Sequence, residues 1–575
     1  MRYFKFILPL IAFCAFTNIN AQLSTNEKPV SFGRESEMRV TRRSEKPSVV
    51  MPQPNKSQLK KVEAKINDPQ EPGIFGFGLS VNWNLNNSGI WYEFPNGDLL
   101  WQLEISCPED RYILLFYDKF WLPVGGELYL YSKDGRQALG AFTSCNNKGD
   151  REHPHRFVTG MIKGSTAVLE YYQPLEVTTD AIISICNVVY GGGNSGFTKA
   201  DSSLVNVNCE EGNYWRGEQK AIARAIFRTI EDTDTTLAYA TFCSGSLIST
   251  SDPHGEAYFL TAHHCLPSGK DSYTGNYTDS IMDDALFFWE YEMPGCDNDT
   301  IEPPSHSTAG AAIVAACDYN TSDFALLKLK EDPNNLPNYI PYYLGWDRTS
   351  EPDTACVCIH HPKGDVKKIS TVDDNIEMKS CTYNGEEISA GTYWEVWWMQ
   401  TNHGNGGTQK SSSGSPLLNV SHKVIGQLHA GPLVDFYSGP DRYGKFYCSW
   451  DNSYERHSLK NWLDSLNTGT ERIEGTLYIS KPCTLTKNEY IYGNIHITGT
   501  GQLNVQGNIE LGGNGNLTIE AGGKLIINGR KLTNANINLK PGATLRIINN
   551  GTIESRKGFK APIGAIVDIK YGRIL

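Results

Sequence analysis

Three short runs hold the residue types that acyl transfer requires: Leu-Thr-Ala-His-His-Cys at 260–265, Ser-Asp-Phe-Ala-Leu-Leu at 322–327 and Ser-Ser-Gly-Ser-Pro at 412–416. That chemistry needs a nucleophile, a base that takes its proton and donors that hold the oxyanion. Ser413 is the expected nucleophile, because Gly414 and Pro416 suit a tight turn that projects its side chain. His264, the histidine next to Cys265, is the expected base, and Asp323, just before the apolar Phe324-Ala325-Leu326-Leu327, would orient it. The backbone N–H groups of Ser411 and Ser413 would form the oxyanion hole. Singly, each run reads more readily as loop, polar surface or turn. Jointly, and in this order, they point to a catalytic triad.

Histidine first, then aspartate, then serine is the chain order of the chymotrypsin fold and not of subtilisins or α/β-hydrolases. The elements that must position these residues are mainly β. At the start, Arg2 and Lys5 precede an apolar run over 7–16 and a small Ala21, which reads as a cleaved secretory signal over 1–21. Phe13 before Cys14 disfavours a lipid anchor. Removing Cys14 leaves an odd number of the 14 cysteines in a chain bound for an oxidising compartment, so most should be paired and at least one left over. A net charge of −12 argues against nucleic acid as a partner. Residues 22–73 are rich in Lys, Glu, Pro, Ser and Asn, with Phe32 as their one aromatic, and read as a disordered linker.

Strand-like runs separated by turn signals such as Pro95-Asn96-Gly97-Asp98 predict an all-β domain over 74–190, with Cys107 and Cys145 as its disulfide pair. A glycine-rich junction at 191–196 leads to Lys199. The segment 200–467 holds all three runs and has the length of a double β-barrel, with a short helix near 458–463. From 475 to 575 apolar-x-apolar triplets such as Ile495/Ile497, Leu503/Val505, Leu517/Ile519 and Leu525/Ile527 recur, mostly at eight-residue steps, between Gly and Asn turns. This predicts a β-solenoid or stacked sheet, with an antiparallel sandwich as the competing arrangement.

The resemblance to a family rests on further runs: Cys209-Glu210-Glu211-Gly212, Ala221-Ile222-Ala223-Arg224, His360-His361-Pro362-Lys363-Gly364-Asp365-Val366-Lys367, Gly426-Gln427-Leu428-His429 and Asp441-Arg442-Tyr443-Gly444-Lys445. With these, residues from about 206 to 450 resemble the secreted bacterial lysyl endopeptidases of the trypsin-like fold, and the preceding all-β region resembles their propeptides. The resemblance implies disulfides Cys209–Cys296 and Cys243–Cys265. It also implies Asp441 at the base of the primary specificity pocket, where a buried carboxylate favours a cationic P1 side chain, and His429 stacked beside the catalytic histidine. Three departures bear on specificity. Ser411 replaces a glycine, which tolerates backbone angles that serine dislikes. Gln409, followed by Lys410, stands where a glutamate is usual, and Ala430 replaces a glycine at the pocket rim.

Cys356-Val357-Cys358 with His360 and His361 does not have a standard zinc spacing; no metal and no cofactor are expected. In trypsin-like zymogens a freed N-terminus often pairs with an aspartate just before the catalytic serine. Here that position is Ser412, so the new amine is not the expected switch; the 74–190 domain, released by a cut after Lys199, is the expected control. The expected function is a secreted serine endopeptidase, made as a zymogen, that cuts after lysine, with arginine as the second option. Its partners would be peptides with a basic P1 residue and its own propeptide, and its place the extracellular space or the bacterial surface, with the C-terminal domain as an attachment. The alternative from another class is a protease-like adhesin with impaired catalysis.

Overall fold

The computed structural model describes residues 28–575 except 69–72, 192–198, 231–233, 253–255, 268–281, 299–304, 319–321, 350–354, 373–381, 384–385, 388–390, 433–438 and 452–457. The expected signal and most of the glycine-rich junction lie outside the described residues. No described helix is long and apolar enough to cross a membrane.

The first region is an antiparallel sheet built around the strand Leu99–Trp121, which pairs with Ile162–Gln173 on one side and Ile182–Gly191 on the other. Trp101, Leu103 and Ile105 are fully buried while Gln102 and Glu104 between them are half-buried, the alternation that pleating imposes. The expected disordered linker is a correction. Arg39–Arg43 pairs with Ile90–Glu93, Ser48–Val50 pairs in parallel with Leu99–Trp121, and Lys56–Asn67 is a helix opened by an Asn55/Gln58 capping box. This stretch has too little apolar surface to fold alone, but Val49, Met51 and Val62 are buried in the core of the neighbouring sheet. Arg34 lies over the Phe94 ring at 3.9 Å and Phe32 packs edge-on to Tyr131. Cys107 and Cys145 are also a correction. They are not bridged, Cys107 being buried in its strand and Cys145 exposed on a short turn.

Two barrels follow. The first joins Ile222–Ile230, Leu237–Ile248, Tyr258–Ala262, Phe324–Leu329 and Ala311–Cys317 in antiparallel order, and returns through Leu286–Trp289 and His306–Ala309. The second is built from Cys356–His360, Lys368–Val372, Tyr393–Val396, Pro416–Asn419, Lys423–Ala430 and Asp441–Lys445. The bridges Cys209–Cys296 and Cys243–Cys265 are both formed. Strand Gly73–Asn84 of the first region pairs with Leu237–Ile248 from Leu79 opposite Leu237 to Gly73 opposite Phe242, so one sheet runs from the first region into the first barrel. Phe75 stacks on Phe242 at 3.9 Å across that seam.

The C-terminal region is a parallel β-solenoid, which excludes the antiparallel sandwich. Leu477, Ile495, Leu517 and Ile537 stand in register on one face, and Leu503, Leu525 and Leu545 on another. The eight-residue recurrence is the step from one face to the next, and aliphatic side chains stack on aliphatic side chains one coil further on. The solenoid is seated on the barrels. Tyr342–Tyr343 pairs with Thr476–Ile479, and His422 is stacked between Trp215 at 3.8 Å and Tyr492 at 4.1 Å.

Candidate active site

Register brings the first two residues together. Strand Tyr258–Ala262 pairs with Phe324–Leu329 so that Ala262 lies opposite Phe324, which puts Asp323 beside the one-turn segment His263–Cys265. The His264 amide donates to Asp323 Oδ1 at 3.0 Å, and Nδ1 lies 2.6 Å from Oδ2. A carboxylate can only accept, so Nδ1 carries the proton and Nε2 is left as the basic nitrogen. The Asp323 side chain is 1 % exposed and that of His264 25 %. Burial alone would push the Asp323 carboxyl up, but the His264 and His429 imidazoles and their hydrogen bonds outweigh it and hold the group well below the usual carboxylate range.

Ser413, half-buried, sits on a turn fastened to the same elements. Its carbonyl accepts from the Ser244 amide at 2.9 Å, and Ser244 follows Cys243, which is bridged to Cys265 next to His264. The Ser244 hydroxyl donates to the Ser411 carbonyl at 2.9 Å. Gly414 has φ +82°, and a Cβ there would lie 2.1 Å from Thr261 Oγ1, so only glycine lets this turn approach the strand that leads to His264. Ser411 takes φ +75°, the left-handed conformation expected to strain it. Among the described residues the Ser411 and Ser413 amides donate to no acceptor. Ser412 is fully buried, its hydroxyl 2.8 Å from His360 Nδ1. Burial, with Lys368 nearby, drives His360 down to about 3, so this support is neutral.

His429 departs from expectation. Its ring meets His264 edge-on at 5.8 Å instead of stacking, and its Nδ1 lies 2.6 Å from Asp323 Oδ2, so two imidazoles share one carboxylate. Gln409 has a partner from the segment after Lys199. It accepts the Asp201 amide on Oε1 at 3.1 Å, and the Lys410 ammonium donates to the carbonyls of Ile66 and Asp68; neither contact touches Asp441. Cys358 contacts Ser415 Oγ and His361 Nδ1 faces the Asp365 carbonyl, so these members of the Cys/His run have partners other than one another.

Asp441 is 1 % exposed, with Oδ2 accepting from Trp398 Nε1 at 2.5 Å and Oδ1 buried without a hydrogen-bond partner among the described residues. Burial pushes its carboxyl up to about 7, against the lowering effect of hydrogen bonding by Trp398 and Thr408 and of the nearby Arg442 charge. A Cβ on Gly431 would stand 2.5 Å from Oδ1, so the missing side chain keeps space open there, beside the half-buried Ala430. Trp398 and Gly431 escaped the sequence reading, because nothing in their local pattern marks contact with a residue so far along the chain.

Residues 197–444 match the family model described as the lysyl endopeptidase C-terminal domain. A lysyl endopeptidase of Pseudomonas aeruginosa is 26 % identical over 290 residues, which cover 47 % of this chain and 56 % of that protein, so the chain spans about half the length of this curated relative. Among solved structures, an HtrA-type protease, AlgW, with a tripeptide is 16 % identical over 40 % of this chain and 59 % of its own, at a TM-score of 0.27. A serine endoprotease from Yersinia pestis is 13 % identical over 40 % and 62 %, at 0.24. Residues 197–444, on a double barrel that sets His264 against Asp323, are thus similar to the C-terminal domain of lysyl endopeptidases.

Proposed function

We propose that the protein is a serine endopeptidase, made as a precursor, that cuts after lysine and tolerates arginine. The observation that carries this reading is the His264–Asp323 pair with the Ser413 turn fastened to it through Ser244 and the Cys243–Cys265 bridge. His264 Nε2 takes the Ser413 proton as Oγ attacks the scissile carbonyl, and Asp323 holds the imidazole in the tautomer that can accept it. The Ser411 and Ser413 amides take the oxyanion, the amine leaves with the proton from His264, and water hydrolyses the acyl-enzyme on Ser413. A P1 ammonium reaching Oδ1 of Asp441 gives that buried oxygen its partner and draws the carboxyl back to its ionised form.

The precursor state is supported by two contacts at the nucleophile turn. A Cβ on Gly73 would stand 1.9 Å from Ser411 Oγ, so the first region's strand bears directly on this turn, and Lys410 grips the carbonyls that end the helix Lys56–Asn67. Lys199 is exposed, as a cleavable bond requires. Fluorophosphonate labelling together with mass-spectrometric mapping of cuts in a denatured substrate, with Ser413→Ala beside the wild type, tests the reading. Label and cuts after lysine should both vanish in the variant. No labelling of a protein freed from its first region would overturn the enzyme reading in favour of the protease-like adhesin.

A further inference from the structure

The residue after Lys199 has a prepared partner. The Ala200 amide nitrogen lies 2.9 Å from Asp365 Oδ2, and Ala200 is itself buried. Asp365 belongs to the loop that follows strand Cys356–His360, and this loop holds the nucleophile turn at several points. The Lys363 amide donates to the Lys410 carbonyl at 2.6 Å, His360 meets Ser412 Oγ, and the His361 amide donates to the Ser244 hydroxyl at 3.0 Å, which in turn donates to the Ser411 carbonyl. Next along the chain, the Asp201 amide donates to Gln409, whose own amide donates to Ser412 Oγ at 3.3 Å. In the uncut chain the Ala200 nitrogen is an amide that offers Asp365 one neutral donor.

Although Ser412 offers the new amine no partner, we propose that Asp365, from a different loop, is the binding site for the new N-terminus. It would receive the Ala200 α-ammonium after cleavage and so latch the loop against the nucleophile turn. This rests on the reading that maturation cuts after Lys199. Hydrolysis adds hydroxyl from water to the Lys199 carbonyl carbon and hydrogen to the Ala200 nitrogen. That nitrogen, with an unperturbed pKa of about 7.7–8.0, takes up a further proton at neutral pH. The atom that becomes charged already lies at hydrogen-bond distance from a carboxylate, so the ion pair forms without the loop moving. An opposite charge this close shifts a pKa by about 1–3 units, and by linkage the latched arrangement is favoured by the same factor, about ten- to a thousand-fold. The latch acts on the amides that take the oxyanion and not on Asp441, so kcat should respond and KM should not.

The test uses full-length precursor cut in trans by tagged wild-type enzyme that is then removed, with the new start read by N-terminal sequencing. Two variants are compared on a lysyl chromogenic substrate: Asp365→Asn, and a chain with one glycine inserted between Lys199 and Ala200, which displaces the ammonium by about 3.5 Å and leaves Asp365 intact. A start at Ala200, a loss of kcat of about tenfold or more in each variant with KM within about twofold, and no further loss when the two are combined would support the latch. An unchanged kcat in either variant, or losses that multiply in the combination, would overturn the latch and leave the maturation reading standing. A wild-type start elsewhere would overturn both.

Discussion

Replacing Asp441 by Asn isolates one charge. The amide keeps the size of the carboxyl and an oxygen to accept from Trp398, and removes only what the buried Oδ1 offers a P1 ammonium. Taking one partner from a buried ion pair costs about 3–5 kcal/mol. At about 1.4 kcal/mol per power of ten this is roughly two to three and a half decades of kcat/KM for a lysyl substrate. The assay compares two peptide amides that differ only at P1, lysine against norleucine, on wild type and variant. The norleucine substrate should change by less than about tenfold. Because burial holds the Asp441 carboxyl at about 7, the wild-type preference for lysine over norleucine should rise with pH through that value; His264 cancels in the ratio, and the rise should be absent from Asp441→Asn. A loss for lysine below about tenfold, or an equal loss for norleucine, would refute the assignment. Stability gives a second readout. A native pKa of about 7 against about 3.9 unfolded means that the native state keeps a proton the unfolded chain releases, so substrate-free stability falls as pH rises between those values. The variant should lack that fall, and its Tm advantage should grow from about pH 5 to pH 8.

Asp323→Asn should lower kcat by about four powers of ten with little change in KM, because an amide permits the wrong histidine tautomer; a loss under tenfold would count against the triad. Gly73→Val, placed in a Lys199→Gln precursor that stays uncut, should raise residual activity, since the added side chain meets Ser411 where the strand now packs; unchanged activity would show that this contact does not restrain the site. Leu525→Ala, at a fully buried solenoid position, should cost about 2–5 kcal/mol in denaturant unfolding and leave kcat/KM near wild type. A cost below about 1 kcal/mol would mean that the rungs are not packed as a common core.

The parts legible in the sequence depend on local chemistry or on short periods. Turn residues around Ser413, the apolar strand after Asp323 and the recurring triplets of the C-terminal region each report their own conformation through steric and solvation rules acting over a few residues. Chain order then narrowed the arrangement of the three runs, and the two barrel disulfides came with the family resemblance. Whatever depends on a partner distant in the chain was decided by tertiary structure. Residues 39–67 look unable to fold because their apolar content is low, yet they are ordered on a core supplied mostly by later strands. Cys107 and Cys145 are kept apart by a buried strand and an exposed turn. His429 shares a carboxylate with His264, and Gln409 accepts from the Asp201 amide, because the tertiary fold and not residue type determines which groups meet. The contact of Ala200 with Asp365 is of the same kind, spanning 165 residues of chain. Sequence determined which groups could do chemistry; folding determined which of them meet, since contact requires the whole sheet to bring its strands into register.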